Sequence, residues 1–266
     1  MRIFFVDIDG TILDTEKGGG KVSAKTKYAF KQIKANGDLI FICSGRAKCI
    51  IADEIKELEP SGYILANGAY IEYQDKLIYS ADAEYDALRK LISYCNRHGI
   101  LYYLEASDKI YTASLETGLH KLFSKGWGEG CYVDEDINED TKINIAMLAL
   151  DSDDETKRQA LETFLEPYFD YSRHVFFTSY DLNIKGVNKG TAIDVVLDYF
   201  NLHQDDAYAF GDGNNDLEMM KTVRHSIAMD NAVKAIKDVS AEITLSVSED
   251  GFYDYLVKKV IIAPLN

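Results

Sequence analysis

The chain has 266 residues, 47% of them hydrophobic, and 44 Asp and Glu against 29 Lys and Arg give a net charge of −15. That length supports a main core plus a smaller one, and the acidic balance argues against nucleic acid, whose binding depends on Lys and Arg displacing condensed counterions. Apolar runs such as "LIFIC" and "VIIA" fall far short of the roughly 18 residues of a membrane span; Cys43, Cys49, Cys95 and Cys131 form neither a CxxC pair nor a disulfide framework, so a cytoplasmic chain with reduced thiols is expected.

In chain order, the first apolar run, "IFFV" (3–6), reads as a strand buried on both faces, and Asp7 and Asp9 follow it at once in "DIDGT". A helical stretch, "SAKTKYAFKQIKANG", leads through Gly37 to a second run, "LIFIC", which ends at Ser44-Gly45-Arg46. The next pattern, "RAKCIIADEIKEL", has Ile51, Ile55 and Leu58 at i, i+4 and i+7 and predicts one helix before the third run, "GYILA". Continuous apolar runs separated by helices suit parallel strands covered on both faces, as in half of a doubly wound sheet.

From about 81 to 186 the texture changes. Aromatic strands of mixed polarity ("LYYLEA", "KIYTAS", "INIAMLAL", "HVFFTSYDLNI") alternate with the helices "EYDALRKLISYCNRHG" and "DDETKRQALETFLEPYF", which reads as an inserted α+β cap with an antiparallel sheet. After 187 the first texture returns with the helix "KGTAIDVVLDYFN", the strand "AYAF", the loop "GDGNND" and three further helices. The expected fold is α/β: a doubly wound, mainly parallel, Rossmann-like core from residues 1–80 and 187–266, with helices on both faces, and a cap from 81–186 that carries specificity.

In an open parallel sheet, ligands bind beyond the carboxyl ends of the strands, so the polar residues after each run should converge. Those residues are Asp7 and Asp9, then Ser44, Gly45 and Arg46, then Asp212, Asn215 and Asp216. Carboxylates gathered at one sheet edge repel unless a cation sits among them. Mg2+ fits best, because it takes one or two carboxylates and completes its shell with water and phosphate oxygens. Asp7 and Asp212 are the expected direct ligands, with Asp216 acting through a water or one step removed. Ser44-Gly45-Arg46, as a strand-to-helix turn, can cradle a phosphate, or Ser44 can simply cap the helix. Lys189 opens a helix where a cation opposes the macrodipole, an inconsistency that points to function.

Four stretches in order, "DIDGT", "CSGR", "VNKG" and "GDGNND", resemble the four motifs of the haloacid dehalogenase superfamily of phosphohydrolases. Their spacing around a cap of about a hundred residues, with "ANGAY" just before the cap, is similar to the Cof-type branch with a C2-type cap. The resemblance implies that Asp7 is the nucleophile, forming an aspartyl-phosphate, and that Asp9 is the general acid and base, its carbonyl also a metal ligand. It further implies that Ser44 and Lys189 hold phosphate and that Asp212 with Asp216 form the acidic metal pair. A turn or substrate contact is implied for Asn67. The expected substrate is a small phosphorylated metabolite, a sugar phosphate or phosphorylated cofactor, handled by a monomer. A phosphotransferase or phosphomutase would use the same intermediate, and a phospho-receiver would stop at it, although the base Asp9 argues against a receiver. Of the cap aromatics Tyr102, Tyr103, Tyr111, Trp127, Phe176, Phe177 and Tyr180, most are expected in its core.

Overall fold

A computed structural model describes residues 1–14, 21–118, 120–121, 131–173 and 178–265. The chain forms two units. One comprises Met1–Gly45, Ala52–Tyr79 and Asn188–Asn266; the other comprises Arg46–Ile51 and Ser80–Val187.

The first unit begins with β1 (Ile3–Val6), the helix Ala24–Ala35 and β2 (Leu39–Cys43). Ser23 caps that helix by accepting the Thr26 N–H, and Ala29, Phe30 and Ile33 bury its apolar stripe. β3 (Gly62–Leu65), β4 (Tyr70–Tyr73) and β5 (Lys76–Ser80) follow. The one helix expected over 46–58 is absent. A 3-10 turn at Lys48–Ile50 and a four-residue helix at Asp53–Lys56 replace it, with Ala47, Ile51 and Ala52 extended. The physical reason is that the segment serves two cores. Ala47 and Ile50 pack in the second unit, whereas Ala52 onward belongs to the first, and this packing overrides a local periodicity that suits a helix.

The second unit is a six-stranded sheet in the order β10-β11-β9-β6-β7-β8. These strands are β6 (Leu101–Glu105), β7 (Ile110–Thr112), β8 (Tyr132–Val133), β9 (Ile145–Ala149), β10 (Phe169–Arg173) and β11 (Ser179–Ile184). Among the described residues its neighbouring strands run antiparallel except β7 with β8, which are parallel. Strand alternation sends Tyr102, Leu104, Leu148, Tyr180 and Leu182 to one face, where they pack against Leu88, Leu91, Leu161 and Leu165 of the helices Tyr85–His98 and Glu155–Leu165. Leu101, Tyr103, Ile110 and Met147 line the opposite face, against Ala47 and Ile50. Tyr102, Tyr103, Tyr111 and Tyr180 are thus core side chains. Trp127, Phe176 and Phe177 lie outside the described residues. The second helix stops at Leu165 rather than running to Phe169, because Pro167 cannot continue it; Phe169 opens β10 instead.

The chain then returns to the first unit through the helix Lys189–Phe200, β12 (Ala207–Gly211), the helix Leu217–Thr222, β13 (His225–Ala228), the helix Lys234–Val239, β14 (Glu242–Ile243) and the helix Gly251–Lys258. The completed sheet has eight strands in the order β14-β13-β12-β1-β2-β3-β4-β5. It is parallel from β14 to β3 and turns antiparallel at β4. Ile3, Phe5, Phe41, Ile64 and Ala209 on one face pack against Ile193, Val196, Leu197 and Met219 of the following helices. Opposite faces of β1 are both sealed, which explains its unbroken apolar run. Among the described residues no helix is long and apolar enough to cross a membrane.

Candidate active site

Parallel register assembles the site. Val6 of β1 is level with Phe210 of β12 and Ile42 of β2, so Asp7, Gly211 and Cys43 emerge from the sheet together, with Asp212 and Ser44 one residue further. The Asp7 N–H still donates to the Phe210 carbonyl, at 3.0 Å, which fixes the backbone of Asp7 to the central strands.

Lys189 enters from the helix Lys189–Phe200. Asn188 caps it reciprocally: its Oδ1 accepts the Thr191 N–H, and Thr191 Oγ1 accepts the Asn188 N–H. Gly190 lets this helix approach the next one, because a Cβ there would come within 2.8 Å of the Glu218 carbonyl oxygen. That close crossing brings Lys189 beside Asp216. The ammonium, with no exposed surface, donates to Asp7 Oδ1 at 2.7 Å and to Asp216 Oδ1 at 2.6 Å. Asp216, equally buried, also accepts the N–H groups of Asp212 and Gly213 on Oδ2, at 2.9 and 3.0 Å. It therefore fixes both the lysine and the loop that carries Asp212.

Asp212 is held by different partners. Thr11 Oγ1 donates to its Oδ1 at 3.3 Å and Asn231 Nδ2 to its Oδ2 at 3.4 Å. Gly10, at φ +81°, packs directly on this carboxylate, and a Cβ there would lie 2.1 Å from Oδ2. The glycine of "DIDGT" is thus required by both its backbone angle and its neighbour.

Electrostatics in this corner oppose the carboxylates. Burial raises the Asp7 pKa well above its ordinary value; Lys189 pulls it down, while Asp216, Asp212 and Asp9 push it up. Burial and then Asp216 push Asp212 up to about 7, against Lys189 and the Thr11 hydrogen bond. Lys189 pays a desolvation penalty too, but Asp216 and Asp7 outweigh it and raise its pKa, so the proton stays on the amine. The ammonium is hydrogen-bonded to two of these carboxyl groups, Asp7 and Asp216.

Oxygen atoms of Asp7, Asp212 and Asp216 lie within 4.8 Å of one another. The donor set is all oxygen, its charge is offset only in part by the one ammonium of Lys189, and each Asp212 oxygen keeps a lone pair beyond its single donor. These residues fit a hard divalent cation such as Mg2+.

Ser44 is buried at this edge, its N–H on the Ile64 carbonyl and its carbonyl accepting from Asn67 N–H. The expected helix end does not stand behind it, because the following 3-10 turn has Ala47 as its N-cap. Instead, Asn67 braces the turn. Its backbone is left-handed at φ 50°, and its buried Oδ1 accepts Asn215 Nδ2 at 3.1 Å beside Gly45. Asn67 and Asn215 so link the loops after β2, β3 and β12. Arg46 opens the Arg46–Ile51 segment of the second unit. Asn231, just beyond β13 (His225–Ala228), lies outside the four motifs, although it too follows a strand end of the parallel sheet.

A family model described as haloacid dehalogenase-like hydrolase matches residues 4–256. YkrA of Bacillus subtilis (strain 168), which carries a phosphatase name without a substrate, is 30% identical over 263 residues, 97% of each chain. YitU of the same organism, named as a 5-amino-6-(5-phospho-D-ribitylamino)uracil phosphatase, is 26% identical over 266 residues, 94% of each chain. Among solved structures, the subclass IIB sugar phosphatase BT4131 superposes with a TM-score of 0.85 at 23% identity, over 98% of this chain and 100% of that one.

Proposed function

The chain belongs to the haloacid dehalogenase-like hydrolases, in their Cof-type branch, and is a phosphatase; from that premise we propose that it hydrolyses a small phosphorylated metabolite with Mg2+, through an aspartyl-phosphate on Asp7. The observation that carries this reading is the buried triad of Asp7, Lys189 and Asp216 beside Asp212. Lys189 occupies Asp7 Oδ1, so Oδ2 is the oxygen available for attack. Asp7, Asp212 and the Asp9 carbonyl would hold Mg2+, and Asp216 would orient Lys189 and the 212–213 backbone. Bound there, the ion supplies charge neutralisation for the phosphoryl oxygens and alignment of the attack.

In the first half-reaction Asp7 Oδ2 bonds to phosphorus as the bond to the leaving oxygen breaks, and Asp9 gives that oxygen its proton. In the second, a water attacks phosphorus, Asp9 takes the water's proton, and the Asp7 oxygen–phosphorus bond breaks to release inorganic phosphate. Lys189 stabilises negative charge shared between nucleophile and phosphoryl group. Ser44, Gly45, Arg46 and Asn215 bind the phosphate, and the second unit selects the organic part. The named relatives point to hydroxyl-rich substrates, a phosphoribityl compound or a sugar phosphate.

The test is hydrolysis of p-nitrophenyl phosphate with Mg2+. Asp7→Asn should abolish it while leaving the protein folded, and substantial retained turnover defeats the nucleophile assignment. A screen of phosphorylated sugars and ribityl compounds, scored for free phosphate against isomerised product, then separates hydrolysis from mutase chemistry and identifies the substrate class.

A further inference from the structure

Beyond the strand β13, Asn231 makes three hydrogen bonds to three different loops. Its Nδ2 donates to the Gly10 carbonyl at 2.8 Å and to Asp212 Oδ2 at 3.4 Å, and its Oδ1 accepts the Val247 N–H at 2.8 Å. The Gly10 carbonyl and Asp212 Oδ2 accept from this one amide nitrogen, and the Gly10 backbone lies against the same carboxylate. The shared donor ties the β1 loop to the carboxylate. Thr11 takes the other Asp212 oxygen, so the carboxylate plane is fixed from both ends, each oxygen keeping a lone pair. The Val247 bond holds the amide the right way round, because an inverted amide would set two donors against each other there and leave Gly10 without one.

We infer that Asn231 is a positioning residue for the divalent cation, aiming the Asp212 carboxylate and clamping the β1 loop to it through the Gly10 carbonyl. This inference rests on the reading of Asp7 and Asp212 as Mg2+ ligands. Hydrogen-bond partners of metal-ligating carboxylates commonly change metal affinity by roughly 10-fold to 100-fold when removed.

The experiment measures Mg2+ affinity without substrate, from the dependence of the melting temperature on Mg2+ concentration, for the wild type, Asn231→Ala and Thr244→Val. Thr244 Oγ1 donates to the Gly251 carbonyl at 2.8 Å across the loop that carries Val247. Its replacement loosens that loop and leaves every hydrogen-bonding partner of Asn231 in place. Asn231→Ala is expected to raise the Mg2+ dissociation constant roughly 10-fold, and the Mg2+ concentration for half-maximal activity alongside it, whereas Thr244→Val stays within about twofold. Both melting temperatures are read in EDTA, so loss of loop anchoring is scored apart from loss of metal. Wild-type affinity in Asn231→Ala, or an equal loss in both variants, overturns the inference while leaving the metal reading intact. Absence of Mg2+ binding by the wild type overturns the metal reading and this inference with it.

Discussion

Lys189 Nζ and Asp7 Oδ1 lie 2.7 Å apart in the folded chain although 182 residues separate them in sequence. Two insertions of structure intervene, yet both residues sit on the carboxyl edge of one sheet, because β1 and β12 are parallel neighbours and the helix Lys189–Phe200 packs beside them. The pair is fully desolvated on the lysine side, so neither charge can relax into water when the other is removed.

Lys189→Met follows from this. It leaves Asp7 and Asp216 facing each other in a buried site without their common donor. Breaking one partner of a buried ion pair costs about 3–5 kcal/mol, and urea unfolding in EDTA should show a loss of that order. Turnover of an aryl phosphate should fall at least about 100-fold, the usual cost of deleting a preorganised charge at a reacting group. Wild-type turnover in this variant would remove Lys189 from the reaction.

How much of this corner was legible in the sequence depended on one rule, that residues after parallel strands converge. It drew attention to Asp7, Ser44, Asp212 and Asp216, and to Lys189 through its misfit with the helix dipole. The segment 46–58 departs from its pattern because its apolar spacing describes a helix while its residues are divided between two cores. The hairpin of β4 and β5 left little trace, since its turn uses Gln74 and Asp75 at φ 48° and 61° where glycine or asparagine is the usual sign. Asn231 was hidden for another reason: it lies in no charged motif, and its importance comes from three partners that only the fold assembles.

On the proposed reading, with Asp7 as nucleophile and Asp9 as acid and base, Asp9→Asn separates the two half-reactions. With p-nitrophenyl phosphate the leaving group needs little protonation, so attack by Asp7 proceeds; the second step lacks its base. A stopped-flow trace should show release of about one equivalent of nitrophenol per enzyme followed by a slow steady state, with phosphate retained on the protein. Equal slowing of both phases would mean that Asp9 does not act as the base for the second step.

Gly10→Ala tests the packing of the β1 loop on Asp212. The new Cβ would lie 2.1 Å from Oδ2, at a φ of +81°, so the carboxylate must turn away from Thr11 and Asn231 or the loop must open. Left-handed backbone adds about 1–2 kcal/mol for a residue with a Cβ. The expected result is a weaker Mg2+ requirement curve, shifted to higher concentration by about 10-fold or more, with a melting temperature lowered in EDTA as well. Unchanged Mg2+ dependence would show that Asp212 does not need this orientation.

Glu105 gives a prediction for the second unit alone. It is buried at the end of β6, and burial, then the neighbouring Asp181, push its pKa up to about 8, against a hydrogen bond from the Ala47 N–H. Because the folded pKa exceeds the unfolded one, the native state binds the extra proton between about pH 4.5 and 8. Its contribution to stability is therefore present in full at the acidic end and is lost as pH rises through about 8. Glu105→Gln keeps the shape and the acceptor for Ala47 but cannot ionise. Denaturant unfolding should find the variant progressively more stable than the wild type from pH 5 to pH 9, by on the order of 1 kcal/mol per unit of pKa separation. Other groups titrate in the same window, but they do so in both proteins, so the difference curve isolates Glu105. A flat difference would mean that this carboxyl is ionised in the folded chain at neutral pH.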